Sequence, residues 1–411
     1  MRLGKPVKGI DQLSDETSLL ADERGTILAI REGLNIDLDK EGNASRRQGF
    51  TQKLAGDGYH SLYKSKRGWL MLCHKDELGV YGPTANSFTV LANMGEASLT
   101  SFAEANGNLY AVNKGFSGMI RVDSSTVIPL GVPLPALTPS FAAIANGTLQ
   151  PGTYAITYTY VDAEGEESGT GPFSYVELPT GGGIQGTMFT SNAGTYRVYM
   201  TKADGEELYQ AAEFMATSYA IVSHQEGRTC DTNGLEPLPY GYIIREHHGR
   251  LYVATTGFVY YSEAFRPHLY NPAYNFIPTT GFTTMLQPVD TGIFIGDSLG
   301  VRFYPDNGEV KDVSTEAVVF GSALTIPGEY LPSSIGTNDL VAMWFTASGY
   351  QIGLPSGELV RLNAQQINLP RYAQGCAVLA VRDGRKQVIT AVDSSSLTGT
   401  GIALDSVGYG K

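Results

Sequence analysis

The chain has 411 residues and a formal net charge of −12, with only 17% charged residues. This length allows two or three domains. The negative charge argues against a nucleic-acid backbone as the main ligand, because neutralising phosphates requires a basic patch. Since no apolar run approaches membrane-spanning length, we expect no membrane insertion. The 49 glycines and 24 tyrosines favour an all-β protein with many tight turns.

Two features of the sequence bear on where the protein is made. The three cysteines, Cys73, Cys230 and Cys376, are an odd number and lie far apart, which predicts reduced thiols rather than a disulfide framework. The segment Met1–Lys5 shows no signal-peptide pattern, so we expect the chain to be made and folded in a cytoplasm.

The first 25 residues have no repeat character and are interpreted as a polar arm. Two alternating segments then flank Gly33, and Glu41–Phe50 is predicted to be a turn that leads into a strand. We expect strands between Ile27 and Ile36 to complete a propeller blade with C-terminal strands near Ile402–Leu404.

From residue 69 onward, an apolar strand that follows a turn recurs six times. The six copies are Trp69–Leu72, Leu109–Val112, Leu251–Ala254, Gly292–Ile295, Val341–Phe345 and Lys386–Thr390. Four of the five intervals between them are 39, 42, 49 and 46 residues. A four-stranded propeller blade takes roughly 40–50 residues, so the spacing predicts a β-propeller of about five to seven blades.

One interval is much too long for a blade. Leu109 and Leu251 are 142 residues apart, which leaves roughly 95 residues after one blade is removed, the size of a β-sandwich. Proline-rich segments at Pro133–Pro135 and Pro237–Pro239 bound the excess. Within it, Gly152–Val161 alternates like a half-buried strand. The predicted organisation is therefore an arm (1–25), a propeller (26–135 and 237–411) and a sandwich inserted at 136–236.

The sequence contains several clusters of potential metal ligands, and none of them predicts a site. His247 and His248 are adjacent, and neighbouring residues of a strand point to opposite faces, so we expect a turn with exposed histidines. His74 lies near Cys73 and Asp76 without a second cluster. The acidic stretches 162–167 and 204–207 lack calcium-loop spacing and are interpreted as solvated turns. No metal or cofactor is predicted.

Catalytic residues are not predicted either. A propeller hydrolase places carboxylates at strand ends, where Glu263, Asp290, Asp297 and Asp339 lie, but nothing in the sequence pairs them. They are interpreted as turn residues. No nucleophile elbow or phosphate-binding loop occurs.

The most unusual stretch is Tyr260–Phe276, which combines aromatic side chains with polar groups suited to an interface. We predict a protein contact there, with a sugar platform or packing against its own blade as alternatives. The predicted contact residues are Tyr260, Tyr261, Phe265, Arg266, His268, Tyr270, Tyr274 and Phe276.

Several pieces of the chain together resemble propeller proteins of tailed-bacteriophage virions. They are Gly33–Asp37 with Gly42–Phe50, Tyr160–Ser168, and Gly249–Ala254 leading to Tyr260–Glu263. Such proteins show Arg-Arg-Pro-Gly at the N-terminal turn, whereas this chain has Arg46-Arg47-Gln48-Gly49. The inserted segment resembles the immunoglobulin-like and fibronectin type III modules of phage structural proteins.

The resemblance implies an all-β propeller interrupted by an immunoglobulin or fibronectin type III-like sandwich. It also implies a non-enzymatic part of the virion tail, in the nozzle, tail tip or head–tail region. We therefore expect a symmetric homo-oligomeric ring that contacts other tail or head–tail proteins, with possible passage of DNA through the assembly. The alternatives are a receptor- or glycan-binding tail protein and a propeller-type polysaccharide hydrolase.

Overall fold

The computed structural model describes most of the chain between residues 51 and 362 and shorter pieces on either side. The described residues are 11–14, 29–33, 36–38, 43–46, 49, 51–121, 125–187, 195–214, 218–224, 227–331, 335–362, 374–382 and 385–393. Most of the predicted arm and the predicted strands near Ile402–Leu404 lie outside this part of the chain.

Antiparallel strands make up nearly all of the regular structure. Near the N-terminus, β1 (Ile36–Leu38) pairs with β2 (Ala44–Arg46). The one helical segment among the described residues is a short 3-10 turn, Gly328–Tyr330. No helix in this part of the chain is long and apolar enough to span a membrane.

The first two blades are four-stranded antiparallel sheets. Blade 1 consists of β3 (Tyr59–Lys64), β4 (Leu70–His74), β5 (Glu77–Gly82) and β6 (Ser87–Asn93). Blade 2 consists of β7 (Ser101–Ala105), β8 (Asn108–Val112), β9 (Ser117–Ile120) and β10 (Val127–Pro129).

Two sheets then form the inserted sandwich. Its strands are β11 (Ser140–Leu149), β12 (Gly152–Val161), β13 (Ser174–Leu178), β14 (Gly182–Thr187), β15 (Thr195–Met200), β16 (Tyr209–Phe214) and β17 (Ser218–Ile221). One sheet has the order β11-β14-β17, and the other has the order β13-β12-β15-β16.

Three further four-stranded blades and a hairpin complete the described chain. Blade 3 consists of β19 (Ile243–His247), β20 (Arg250–Ala254), β21 (Phe258–Tyr261) and β23 (Phe276–Pro278). The short strands β18 (Glu236–Pro237), which precedes the blade, and β22 (Leu269–Tyr270), which lies between β21 and β23, form a separate pair. Blade 4 consists of β24 (Met285–Val289), β25 (Gly292–Asp297), β26 (Gly300–Pro305) and β27 (Lys311–Ser314). Blade 5 consists of β28 (Leu324–Pro327), β29 (Leu340–Thr346), β30 (Gly349–Gly353) and β31 (Leu359–Arg361). The C-terminal hairpin pairs β32 (Gln374–Arg382) with β33 (Arg385–Asp393).

The all-β propeller fold predicted from the repeat is confirmed. The first five predicted copies coincide with β4, β8, β20, β25 and β29, each the second strand of its blade. A second strand pairs on both edges and packs on both faces, which is why it forms the most apolar run of its blade. The sixth copy falls in the C-terminal hairpin.

The hydrophobic cores lie between successive sheets, as radial packing of blades requires. Separate clusters of buried side chains join blades 1 and 2, blades 2 and 3, blades 3 and 4, blades 4 and 5, and blade 5 and the hairpin. Between blades 4 and 5, Phe294 and Trp344 are fully buried with ring centroids 5.5 Å apart. The ring of Phe294 also covers Gly353, where an added Cβ would lie 2.4 Å from Cζ of that ring.

The sandwich has a core of its own, but one prediction about it is wrong. On β12, Tyr154, Ile156 and Tyr158 are buried in that core. Thr157 and Thr159 on the opposite face are buried as well, so the strand is not half-buried. The Thr157 hydroxyl donates to Gly171 O at 2.8 Å and the Thr159 hydroxyl to Glu167 Oε1 at 2.7 Å, because the following segment folds over this face.

The exit from the propeller and the return to it run side by side. A Cβ added at Gly131, which has a φ of +88°, would lie 3.0 Å from Pro237 Cβ and 2.9 Å from His268 O. The return strand β18 pairs with β22, which lies in the loop between β21 and β23 of blade 3. The sandwich is therefore fixed to blade 3 by backbone pairing as well as by covalent connection.

Candidate functional site

The aromatic loop, Tyr260–Phe276, connects β21 to β23 at the outer edge of blade 3. It is closed by its own backbone: Glu263 N–H donates to Leu269 O at 2.8 Å, and Leu269 N–H donates to Arg266 O at 3.1 Å. The Asn275 amide donates to Glu263 Oε1 at 2.7 Å. These bonds give the loop a defined shape although it is long.

The inserted sandwich and its return segment hold one side of the aromatic loop. Arg266 Nη1 donates to Asp231 O at 2.6 Å, and Arg266 Nη2 lies 3.0 Å from Asp231 Oδ2. His268 Nε2 lies 3.3 Å from Glu167 O, and Leu238 N–H donates to His268 O at 3.2 Å. The loop is therefore braced by contacts from residues far away in the sequence.

Five of the eight predicted contact residues take part in packing within the chain. His268 and Tyr270 are buried, and Arg266 is bound to Asp231. Tyr260 and Tyr261 are half-buried. Tyr260 packs on Tyr270 at 5.3 Å between ring centroids, and Tyr261 stacks on Tyr252 at 5.3 Å. For these side chains the alternative of packing against the chain's own blade accounts for the contacts that the structure shows.

The other three aromatic residues face solvent. Phe265 is 91% exposed and Tyr274 is 76% exposed, and Phe276 is also exposed. Phe276 makes an edge-to-face contact with Phe258, at 5.8 Å between centroids. Phe258, which is exposed too, was not predicted, although its place in the preceding strand two residues before Tyr260 was a signal for it. Phe258, Phe265, Tyr274 and Phe276 are hereafter the exposed aromatic set.

The backbone of Phe265 is strained. Its φ is +61°, a left-handed conformation that is uncommon for a bulky residue. Such conformations cost on the order of 1–3 kcal/mol and persist where the surroundings over-determine them. The surroundings here are the Arg266–Asp231 contacts and the Asn275–Glu263 bond, which hold the turn on either side of Phe265.

A buried carboxylate at the base of this bracing was missed by the sequence interpretation. Glu167 was assigned to a solvated acidic turn, but its side chain is 6% exposed. Its Oε1 accepts hydrogen bonds from Thr159 Oγ1 at 2.7 Å and Tyr199 OH at 2.6 Å, and its Oε2 accepts one from Arg197 Nη1 at 2.7 Å. Thr159 lies opposite Arg197 in the β12–β15 pair, a register that the sequence interpretation did not specify.

The electrostatics around Glu167 follow from burial and pairing. The pKa of Tyr199 is raised, first by burial and then by its hydrogen bond to the Glu167 carboxylate. Burial lowers the pKa of Arg197, but the bonds to Glu213 and Glu167 outweigh it and the net shift is upward. These shifts keep the Arg197 guanidinium charged and the Tyr199 phenol neutral.

Neighbouring Glu166 is also only partly solvated, with 21% of its side chain exposed. Burial, followed by repulsion from Asp162, raises the pKa of Glu166 to about 7. Its Oε1 lies 3.8 Å from His268 Nδ1, beyond hydrogen-bond distance, and burial lowers the pKa of His268. The junction of sandwich and blade 3 thus contains a carboxyl group that ionises near neutral pH.

We expect Glu166→Gln to stabilise the protein at about pH 8 but not at about pH 5. The folded carboxyl has a raised pKa, so wild-type stability falls as pH rises from about 4.5 through about 7, and glutamine removes this loss. The full shift corresponds to about 3 kcal/mol, and partial exposure reduces the expected gain to about 1–2 kcal/mol. Urea unfolding at both pH values measures it.

The control for this variant is Glu177→Gln, on an exposed position of β13. It should change stability equally at both pH values. An equal response of the Glu166 variant at about pH 5 and about pH 8 would contradict the prediction.

The histidine pair lies at the C-terminal end of β19. His247 is the last residue of the strand, and His248 lies in the turn to β20. His247 is buried and His248 is exposed, so the prediction of two exposed histidines is wrong for His247. The expectation that the two side chains diverge is also wrong, since their ring centroids are 4.0 Å apart. Both rings face Asp306, which follows β26 in blade 4.

The four carboxylates considered for hydrolase chemistry all have partners within the chain. Asp297 is buried, lies 2.6 Å from Arg302 Nη2 and accepts backbone N–H bonds from Thr280 and Leu299. These contacts outweigh burial and lower its pKa. Glu263 accepts a bond from Asn275.

The other two carboxylates lie in turns. Asp290 Oδ2 accepts a bond from Leu340 N–H at 3.4 Å, and Asp339 contacts Thr337. Each of the four therefore takes part in holding a turn or strand end.

The three cysteines are free. Cys73 and Cys230 each have a pKa raised to about 11 by burial, while Cys376 is exposed. His74 is 3.3 Å from Glu77, and Asp76 accepts a bond from Asn93. Around Cys73, the described side chains therefore form no shared cluster of ligands.

Comparison with known proteins adds little to this geometry. No protein-family model matches the chain, and no curated protein matches it. The extracellular domain of a one-component system from B. thetaiotaomicron aligns at 12% identity over 92% of this chain and 50% of that chain, with a TM-score of 0.26.

Two structures from Porphyromonas gingivalis also align. Dipeptidyl peptidase 4 aligns at 9% identity over 89% of this chain and 49% of that chain, with a TM-score of 0.27. PorZ, a surface component of the type IX secretion system, aligns at 11% identity over 84% of this chain and 52% of that chain, with a TM-score of 0.20. The chain spans about half the length of these solved structures. At such scores the propeller assignment rests on the strand pairing and the inter-blade cores of the chain itself.

Proposed function

We propose that the protein is a non-enzymatic structural component of a tailed-bacteriophage tail, in the nozzle, tail tip or head–tail region. Its work is to hold neighbouring virion proteins, including further copies of itself, through a preformed protein-binding surface. The observation that supports this most directly is Phe265, an almost fully exposed aromatic side chain on a strained and braced turn. The virion context comes from the sequence resemblance.

The exposed aromatic set has the properties of an interface anchor. Large aromatic side chains dominate binding energy at protein interfaces, and they cost little rotamer entropy when they are buried on binding. Preorganisation of the binding residues reduces the cost of association further. A strained, exposed phenylalanine does not stabilise an isolated monomer, whereas its ring contributes binding energy when a partner buries it.

Rigid support of the loop is consistent with the same role. The aromatic loop is tied to blade 3 by the β21–β23 pairing and to the sandwich by the β18–β22 pairing. A partner that binds Phe265 therefore contacts a loop that is held from two sides. Symmetric assembly through such a surface would leave the rest of the surface of this acidic chain, whose net charge is −12, towards solvent or a DNA path.

A second candidate function is recognition of a receptor or glycan by the sandwich. The observation in its favour is that Tyr175 is exposed on β13, an edge strand of the sandwich, two residues after exposed Phe173. An exposed edge with aromatic side chains suits capture of a ligand. This reading predicts that the isolated protein binds host cells or glycans and that deletion of about residues 137–236 abolishes binding, with no effect of substitutions at Phe265.

The test of the first proposal places a photo-crosslinking phenylalanine analogue at position 265 of the full chain, expressed during phage infection. We expect irradiated particles to contain a covalent product with another virion protein or a second copy. The control position is Leu299, an exposed residue on a turn of blade 4. Absence of the chain from purified particles, or equal crosslinking from both positions, would contradict the proposal.

A further inference from the structure

The β19–β20 turn brings two imidazoles to the boundary between blades 3 and 4. His248 and Gly249, the central residues of this turn, have φ values of +48° and +76°, as a type I′ turn requires. The left-handed conformation takes His248 out of the alternation of the strand. Its ring therefore lies beside that of His247, the last residue of β19, rather than on the opposite face.

A carboxylate from the neighbouring blade meets both rings. Asp306 follows β26, and its backbone N–H donates to Thr291 O at 2.9 Å, which fixes its position. Asp306 Oδ1 lies 2.7 Å from His247 Nε2, and Oδ2 lies 2.9 Å from His248 Nε2. Each residue offers one ligand atom, and the three atoms all lie within 4.8 Å of one another.

We propose that His247, His248 and Asp306 form an open binding site for a divalent metal ion of the zinc class, which ties blade 3 to blade 4. Two imidazole nitrogens and one carboxylate oxygen are the ligand set of many three-ligand zinc sites. Calcium and magnesium prefer oxygen ligands, so this set selects zinc, nickel or cobalt instead. The proposal does not depend on the phage assignment.

The two nitrogen–oxygen distances are close to those of a loaded site. Zinc bonds of about 2.0–2.2 Å in a tetrahedral arrangement separate neighbouring ligand atoms by about 3.3 Å. Each of the two nitrogen–oxygen distances therefore has to widen by about half an ångström to admit an ion. On binding, each neutral imidazole presents an unprotonated Nε2 to the metal and carries its proton on Nδ1.

The two histidines have different surroundings, which defines the character of the site. His247 is 6% exposed and is supported by an edge contact with Tyr252, at 6.2 Å between centroids. His248 is 61% exposed, so the site opens to solvent on its side. Water completes the coordination there, and the ion can enter and leave without unfolding a blade.

The competing explanation is that the carboxylate only accepts hydrogen bonds from the two rings. Such an arrangement would satisfy the same atoms and would have no affinity for zinc beyond that of any exposed histidine. The two explanations therefore differ in stoichiometry and affinity, both of which can be measured on the full chain.

The test uses the full-length protein treated with chelator and titrated with zinc chloride by calorimetry, with metal content measured by mass spectrometry. We expect one equivalent of zinc to bind the wild type. His248→Gln and Asp306→Asn should each lower the affinity at least about 10-fold, because each removes one of three ligands. The matched control is His74→Gln, which removes another histidine beside a carboxylate, 3.3 Å from Glu77, and should change nothing.

A second readout separates a site from nonspecific binding. Cobalt chloride should give the visible absorption of four- or five-coordinate cobalt with the wild type and with His74→Gln, and lose it with Asp306→Asn. His248 is exposed, so its substitution leaves the fold intact and the comparison valid. A wild type that binds no stoichiometric zinc, or that loses affinity equally in the His74 variant, would overturn the proposal.

Discussion

Replacing Glu167 by alanine is expected to lower the free energy of unfolding by about 3–5 kcal/mol, because removing one partner of a buried ion pair leaves the other uncompensated. The carboxylate is 6% exposed and is the acceptor for Thr159, Tyr199 and Arg197. Without it, two buried hydroxyl groups lose their acceptor and Arg197 retains only Glu213. Urea unfolding of wild type and variant measures the loss.

The matched control is Glu213→Ala, which removes the other carboxylate that pairs with Arg197. Glu213 is 44% exposed and lies 2.7 Å from Arg197 Nε, so its removal should cost about 0.2–1 kcal/mol, as for a surface ion pair. Glu167→Gln retains an acceptor and should fall between the two alanine variants. Equal losses for Glu167→Ala and Glu213→Ala would show that burial of Glu167 does not matter.

The effect of the Glu167 substitution should extend beyond the sandwich. The backbone oxygen of Glu167 accepts a hydrogen bond from His268 in the aromatic loop. Arg228 Nη2 lies 3.7 Å from Glu167 Oε2 and 3.7 Å from Asp231 Oδ2. Asp231 in turn binds Arg266 of the loop. We therefore expect faster backbone hydrogen exchange in the aromatic loop of Glu167→Ala. Unchanged exchange there would mean that the loop is braced by the β18–β22 pairing alone.

The blades were predictable because each contains a second strand that packs on both faces, and such a strand needs a run of apolar residues. Leu109–Val112 and Leu251–Ala254 are second strands, paired on both edges, and their uniformly apolar sequence follows from that position. The turn residues between strands, such as Gly249 with its positive φ, mark where each run ends. Periodicity and turn chemistry are local properties, and the sequence contains them.

The division of the aromatic loop was not predictable, because it depends on contacts between distant segments. Arg266 and Asp231 are separated by 35 positions, and the pairing of β18 with β22 joins two strands of only two residues each. Neither has a sequence pattern of its own. Composition therefore predicted contact residues in the loop, but it could not predict that His268 and Tyr270 pack within this chain itself.

The histidine pair illustrates a partial failure. A turn at His248 and Gly249 followed from the sequence, and a turn of this kind requires positive φ at both residues. That requirement already places the two imidazoles on one side of the strand, although the strand argument put them on opposite sides. Asp306 lies 58 positions beyond His248 in the next blade, and only the packing of the blades brings it to the two rings.

Phe265→Asn is expected to weaken assembly with the partner at least about 10-fold, which corresponds to about 1.4 kcal/mol, while leaving the monomer as stable as the wild type or about 1 kcal/mol more stable. Asparagine tolerates the left-handed backbone at this position far better than phenylalanine does. A substitution that helps the monomer and harms the assembly separates a binding role from a structural one. Sedimentation of the purified protein and its incorporation into particles measure the two quantities.

Two further variants define the surface around Phe265. Tyr274→Ala removes the second strongly exposed ring of the exposed aromatic set and should weaken assembly by a smaller factor, because Tyr274 sits on the same braced loop without a strained backbone. Leu299→Ala removes a comparably exposed apolar side chain on blade 4 and should have no effect. If Phe265→Asn assembles as well as Leu299→Ala, the strained turn is not the contact surface, and recognition by the sandwich becomes the better account of the exposed aromatic residues on this chain.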